Sequence, residues 1–186
     1  MYYADYKGVR DAAWHLLVDL KIQKLPVRMT DICKELGISF KLYTPEDDND
    51  GLSFITNGQA VILVSAGASP EKQRVTAAHE LGHILLGHVG AFEDKRISRH
   101  AAAPIEQAAD MFAGRLLAPA CVLWGCNART PEQIAKLCGI SLKAAARLRA
   151  ERMRVLYKRN KFLASHSEQK VYRQFGEFIA KNQVNL

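Results

Sequence analysis

"AAHELGHILLGH", residues 77–88, sets His79, Glu80, His83 and His88 within twelve positions. On a helix, His79 and His83 are four apart and rise from one face on successive turns. Their imidazole nitrogens can then meet at one ion, with Zn–N bonds of about 2.0–2.1 Å. Glu80 stands one step round, beside such an ion, where its carboxylate can take a proton from an attacking water. That is the mechanical content of the H-E-x-x-H pattern. In a chain with 6 His and 10 Glu among 186 residues, chance supplies the pattern about once in a hundred cases. The bland alternative is a helix with histidines on a wet face. The apolar flanks "VTAA" and "ILLG" argue against it, because they bury the helix and buried histidines need partners.

Zinc needs a third protein ligand and an open fourth position. His88 lies nine residues beyond His79, about 900° round a helix of 3.6 residues per turn, and so on the opposite face. The extended metzincin pattern would need glycine and histidine where this chain has Leu86 and Val89. His88 suits the helix end instead, where a polar side chain meets the terminal carbonyls. His100, in a loop, is a further candidate. Glu106 is better placed, 23 residues after His83 in the first turn of the next helix. Asp110 is four residues on and shares its face. Glu106 is then either a ligand or a carboxylate that simply favours a helix N-terminus. Asp110 is either exposed or accepts the far N–H of a ligand histidine and fixes its tautomer.

The elements around this motif read clearly. Residues 5–24 carry Val9, Ala12, Ala13, Leu16, Leu17 and Leu20 at helical spacing, up to Pro26. "MTDICKELGIS" is a short helix, with Thr30 as N-cap and Gly37 at its end. "ISFKLY" is a strand, and the acidic "PEDDND" a solvated loop. "GLSFITNGQAVILVSA" is a hairpin turning at Asn57-Gly58, a pair suited to a type I′ turn. Ser69 and Pro70 open the motif helix, which stops near Gly87. A loop follows. Pro104 starts a helix with Ile105, Ala108, Ala109, Phe112, Ala113, Leu116 and Leu117 on one apolar face, closed by Pro119. Beyond it come a helix-turn-helix pattern and an amphipathic stretch with Val171, Phe175, Phe178 and Ile179. "DICKELGIS" and "QIAKLCGIS" resemble each other at an offset of 102, which reflects two glycine-capped short helices and not a repeat.

Composition sets the frame. An apolar fraction of 48% and a charged fraction of 24% suit an ordinary globular protein, long enough to bury a core without staples. No apolar run reaches the roughly 18 residues that span a bilayer, and the N-terminus does not read as a signal peptide. Cys33, Cys121, Cys126 and Cys138 form no C-x-x-C pair and suit a reduced cytoplasmic protein. The net charge of +7 is uneven. Residues 1–128 carry 13 Lys/Arg against 15 Asp/Glu, a net of −2, and residues 129–186 carry 13 against 4, a net of +9. Two domains are therefore expected: residues 1–128 around the metal motif, and a basic helical region over 129–186. Lys143, Arg147, Arg149, Arg152 and Arg154 on its second helix could meet DNA phosphates or an acidic partner. A packing pair of helices with a solvated basic face is the alternative.

"RVTAAHELGHILLGH" followed by "IEQAADMFAGRLLAP" resembles the ImmA/IrrE family of zinc metallopeptidases. "LPVRMTDICKELGISFKLY" and the hairpin resemble that family's N-terminal region, so that the likeness covers roughly residues 10–120. The E-x-x-x-D element is also similar to that of gluzincins. The resemblance implies an α+β fold: a small antiparallel sheet with a hairpin, packed on an H-E-x-x-H helix pair and followed by a helical C-terminal region. It implies zinc as cofactor, His79, His83 and Glu106 as ligands, and Glu80 as catalytic base. It also implies cleavage of a helix-turn-helix repressor in the bacterial cytoplasm, switching on genes of mobile elements. Ala108 stands where many members carry a second glutamate, and the helix ends "LLAP" where "LLMP" is common. A regulatory module that keeps the metal but binds a repressor or DNA without cutting is the alternative reading.

Overall fold

The computed structural model describes residues 3–45, 50–89, 103–158 and 163–183. His100 and most of the two loops expected at 45–50 and after Gly87 lie outside the described residues. The chain divides into two compact units. One takes in Met1–Arg10 and Arg28–Ala113, the other Asp11–Val27 and Gly114–Leu186. The boundary expected between 128 and 129 falls inside the second unit.

Helix α1 (Tyr3–Asp19) buries Val9, Ala13, Trp14, Leu16 and Leu17. It stops short of Pro26. Lys21 takes a left-handed φ of 51°, and Ile22 N–H donates to Leu17 O at 3.0 Å, closing the helix without a glycine. In the second unit, Gln174 Nε2 donates to Leu17 O and to Ile22 O, each at 2.7 Å, so the exposed carbonyls of that turn are met.

Helix α2 (Met29–Glu35) buries Met29, Ile32 and Cys33. Its N-cap is Arg28, with no side-chain cap bond. Thr30 lies inside the helix and bonds Asp31 Oδ1 at 3.4 Å, so the expected cap is misplaced by two residues. Gly37, at φ 66°, ends the segment as read from the sequence.

Strands β1 (Ser39–Tyr43), β2 (Gly51–Thr56) and β3 (Gln59–Ser65) form one sheet in the order β1-β3-β2. The hairpin is as expected. Asn57 and Gly58 both have positive φ, 49° and 74°, and Thr56 pairs with Gln59 across them. The sheet itself is mixed and not purely antiparallel, because β1 runs parallel to β3. Strand β3 is central: it buries Val61, Ile62, Val64 and Ser65, so both its faces are covered and neither of its edges is left to water.

Ser69 caps helix α3 (Pro70–Leu85) by accepting from Lys72 N–H at 3.3 Å, with Pro70 in the first turn. Helix α3 packs on β2 and β3 and buries Ala77, Ala78, Leu81 and Gly82. Helix α4 (Ala103–Leu117) buries Ala108, Ala109, Phe112, Ala113, Leu116 and Leu117, the face read from its spacing.

In the second unit, Pro119 does more than close α4. It caps a short helix, α5 (Ala120–Gly125), that buries Ala120, Cys121, Val122 and Leu123. Helix α6 (Pro131–Cys138) opens on a capping box of Thr130 and Gln133 and ends at left-handed Gly139. The chain kinks at Lys143 and continues as α7 (Arg147–Lys158). Helices α8 (His166–Gln174) and α9 (Gly176–Lys181) break at Phe175 and bury Val171, Phe175 and Ile179. All four cysteines are free and buried, and burial pushes the Cys121 thiol up to about 12. Among the described residues no helix is long and apolar enough to cross a membrane.

The fold is α+β, and the sheet, α3 and the first part of α4 position the site.

Candidate metal centre

Helix α3 turns its small, buried side toward α4 and the sheet, which leaves His79, Glu80 and His83 on its flank. His79 Nε2 and His83 Nε2 are 3.0 Å apart. From the first turn of α4, Glu106 brings Oε2 to 3.2 Å from His79 Nε2 and Oε1 to 3.5 Å from His83 Nε2. The three groups offer ligand atoms that all lie within 4.8 Å of one another. Tetrahedral zinc with bonds of about 2.0–2.1 Å has ligand atoms roughly 3.3 Å apart. Two imidazole nitrogens and a carboxylate oxygen at these spacings therefore fit that ion.

The close approach of the helices rests on Gly82. A Cβ there would meet Ala109 Cα and Phe112 Cδ1 at 3.2 Å and Ala109 O at 3.3 Å. A side chain there would have to push α4 outward by a few tenths of an ångström or more, away from the position at which Glu106 faces both histidines. Gly51 does the same on the sheet side. A Cβ there would run into the Thr76 side chain and stand 3.4 Å from Glu80 Cγ. Two residues along β2 on the same face, Ser53 Oγ donates to Glu80 Oε2 at 2.6 Å.

Asp110 accepts from His79 Nδ1 at 2.8 Å although its own side chain is 74% exposed. Exposure and service to the histidine, posed as alternatives by the sequence, hold together. Burial pulls the His79 imidazole down, but the bond and charge of Asp110 with the charges of Glu80 and Glu106 outweigh it and leave it raised. Burial, with the neighbouring His79, pulls His83 down, which keeps it neutral and able to offer a lone pair. Burial also raises the Glu80 carboxyl, against the Ser53 bond.

His88 is not on the far face. Helix α3 has ended at Leu85, and Gly87 turns left-handed at φ 72°. His88 N–H bonds His83 O at 2.8 Å, so the terminal carbonyl is met by backbone. The His88 ring folds back with Nδ1 3.3 Å from His83 Nδ1. Counting 100° per residue fails once the helix has stopped. Ser53 is a site residue that the sequence does not reveal: a hydroxyl on an alternating strand carries no signal of what it faces.

The basic residues divide. Lys143, Arg147, Arg152 and Arg154 are exposed. Arg149 is buried and its Nε donates to Ala118 O at 2.6 Å, so it is unsuited to the phosphate contact expected of it. Helical spacing explains this, because Arg149 shares a face with buried Met153 and Ala146. The same spacing leaves the apolar Leu148 59% exposed.

An α+β domain with an H-E-x-x-H helix and a carboxylate from the next helix defines a protein of the metallopeptidase class. Residues 33–150 match the Peptidase_M78 family, described as the IrrE N-terminal-like domain, and the chain belongs to that family. Membership supports a metallopeptidase-type function. The match begins later than the likeness read from the sequence and extends further, through α6 into α7. No curated protein matches the chain.

Proposed function

We propose that this protein is a zinc-dependent endopeptidase of the bacterial cytoplasm that cuts a helix-turn-helix repressor or a similar regulator. Transcription of a mobile element or of stress genes would follow the cut. The observation that carries the reading is the meeting of His79 Nε2, His83 Nε2 and the Glu106 carboxylate beside Glu80. Those three residues would hold the ion. When bound, zinc supplies Lewis acidity, acidifying water and polarising a carbonyl.

The chain's own groups do the rest. Glu80 takes the proton of the attacking water and passes it to the leaving amine. Its burial raises its affinity for that proton, and the Ser53 hydroxyl holds one carboxylate oxygen and leaves the other to take the proton. Asp110 holds His79 in the tautomer whose Nε2 is free. Strand β2 is paired only with β3 among the described residues, and its other edge can take an extended peptide segment by strand addition. Lys143, Arg147, Arg152 and Arg154 form the surface for an acidic partner or DNA.

The test is co-expression with a helix-turn-helix regulator encoded beside this chain, followed by intact-mass analysis of the regulator. The expected result is one cut at one bond, absent when Glu106→Ala replaces the parent. A regulator that stays whole beside zinc-loaded parent protein, while repression is still relieved, would make this a binding module that does not cut.

A further inference from the structure

The two ligand histidines are served differently on their outer nitrogens. His79 Nδ1 meets a carboxylate, Asp110 Oδ1, at 2.8 Å. His83 Nδ1 meets another imidazole, His88 Nδ1, at 3.3 Å. His83 Nε2 is the nitrogen that faces His79 Nε2 and Glu106. A neutral imidazole carries one proton, and a ligating Nε2 cannot hold it. The proton must then sit on His83 Nδ1 and be donated outward. His88 Nδ1 stands in its path.

We propose that His88 is a positioning residue for the metal centre: its Nδ1 accepts the Nδ1–H of His83 and holds that ring with Nε2 toward the ion. The inference rests on the ligand set proposed above. It requires the His88 proton to lie on Nε2, the tautomer that leaves Nδ1 a lone pair. The backbone supports the geometry. Left-handed Gly87 and the bond from His88 N–H to His83 O, 2.8 Å, bring residue 88 back over the last turn of α3. The His83 and His88 rings meet at 67° with centroids 5.3 Å apart. That edge-on setting suits a nitrogen-to-nitrogen bond and not a stack. His88 itself is outside the group whose ligand atoms converge.

The arrangement also sets charge. A neutral acceptor orients His83 without adding a fourth carboxylate to Glu80, Glu106 and Asp110. A histidine just past a glycine-terminated helix thus does for the second ligand what Asp110, on a different helix, does for the first.

Two substitutions of nearly equal size separate the role from packing. An asparagine would place an amide oxygen, and a leucine a methyl group, at about the position of the His88 Nδ1. The variants are therefore His88→Leu and His88→Asn in the full chain. Zinc affinity is read by competition with a chelator, and the thermal midpoint is read on metal-free protein. The expected result is that His88→Leu weakens zinc binding by about 10–100-fold, while His88→Asn restores most of the affinity. Metal-free midpoints should stay with the parent. Cobalt in place of zinc should keep the absorption intensity of a four-coordinate ion in both variants.

Equal zinc affinity in His88→Leu and parent would overturn the proposal, as would equal weakening in His88→Leu and His88→Asn. Loss of the four-coordinate cobalt signal in both variants would make His88 a ligand and overturn it too. A parent that binds no zinc at all would instead remove the ligand set, and this inference with it.

Discussion

Gly82 on α3 and Ala109 on α4 cross so closely that a side-chain Cβ on the glycine would stand 3.2 Å from the Ala109 Cα. His79 and His83 flank this crossing on α3, and Glu106 lies one turn before Ala109 on α4. Closeness of the helices and convergence of these three side chains are therefore one property.

Gly82→Ala gains up to about 1 kcal/mol of helix propensity. The neighbours it meets are mainly backbone, which cannot give, so the contact should cancel that gain. Gly82→Val adds two more carbons in the same place and should cost about 1–3 kcal/mol. Urea unfolding of metal-free protein reads the stability. Zinc affinity should fall with it, because spreading the helices draws Glu106 away. A fully stable Gly82→Val with parental zinc affinity would mean that the crossing does not set the site.

Asp110→Ala should lower zinc affinity by about 10–100-fold with little change in metal-free stability, since the carboxylate is largely exposed and, among the described residues, meets the site through His79 Nδ1. Chelator competition measures the first effect and thermal unfolding the second. Affinity equal to the parent's would show that His79 needs no partner on its outer nitrogen.

Much of this centre is legible in the sequence, because it sits on elements with strong local signals. Ser69, Pro70 and Gly87 bound α3, Asn57-Gly58 sets the hairpin, and the i, i+4 spacing fixes His79 against His83 and Glu106 against Asp110. What escapes is non-local or depends on where a helix stops. The parallel pairing of β1 with β3 joins segments about twenty residues apart with no turn to announce it. The stop at Lys21 uses a left-handed lysine, for which sequence offers no cue. His88 eludes a helical count, because the helix ends before the count does. Charge groups Arg149 with its neighbours, while its helical phase puts it inside.

Arg149 and Arg147 should therefore respond in opposite ways. Arg149→Ala leaves the buried Ala118 carbonyl without its donor and should cost about 1–3 kcal/mol. Arg147→Gln, on an exposed position, should leave stability nearly unchanged. If DNA is the partner of this helix, Arg147→Gln should also reduce the slope of log K against log salt by about 0.9 for each phosphate no longer neutralised. Calorimetric unfolding and a salt titration of DNA binding read the two effects. A destabilised Arg147→Gln with a parental Arg149→Ala would reverse the assignment of buried and exposed faces.

Peptide-bond hydrolysis with Glu80 as the base is tested by comparing the parent protein with Glu80→Gln. Parent protein and Glu80→Gln are brought to equal zinc content and incubated with a mixed peptide library, and products are counted by mass spectrometry. Glutamine keeps the size of the side chain and can still bond Ser53, but it cannot take a proton. Both proteins should hold about one zinc, the parent should yield products which disappear with a chelator and return with zinc, and Glu80→Gln should be slower by at least about 10²-fold. Equal product formation by the two proteins at equal zinc would contradict the role of Glu80 as the base.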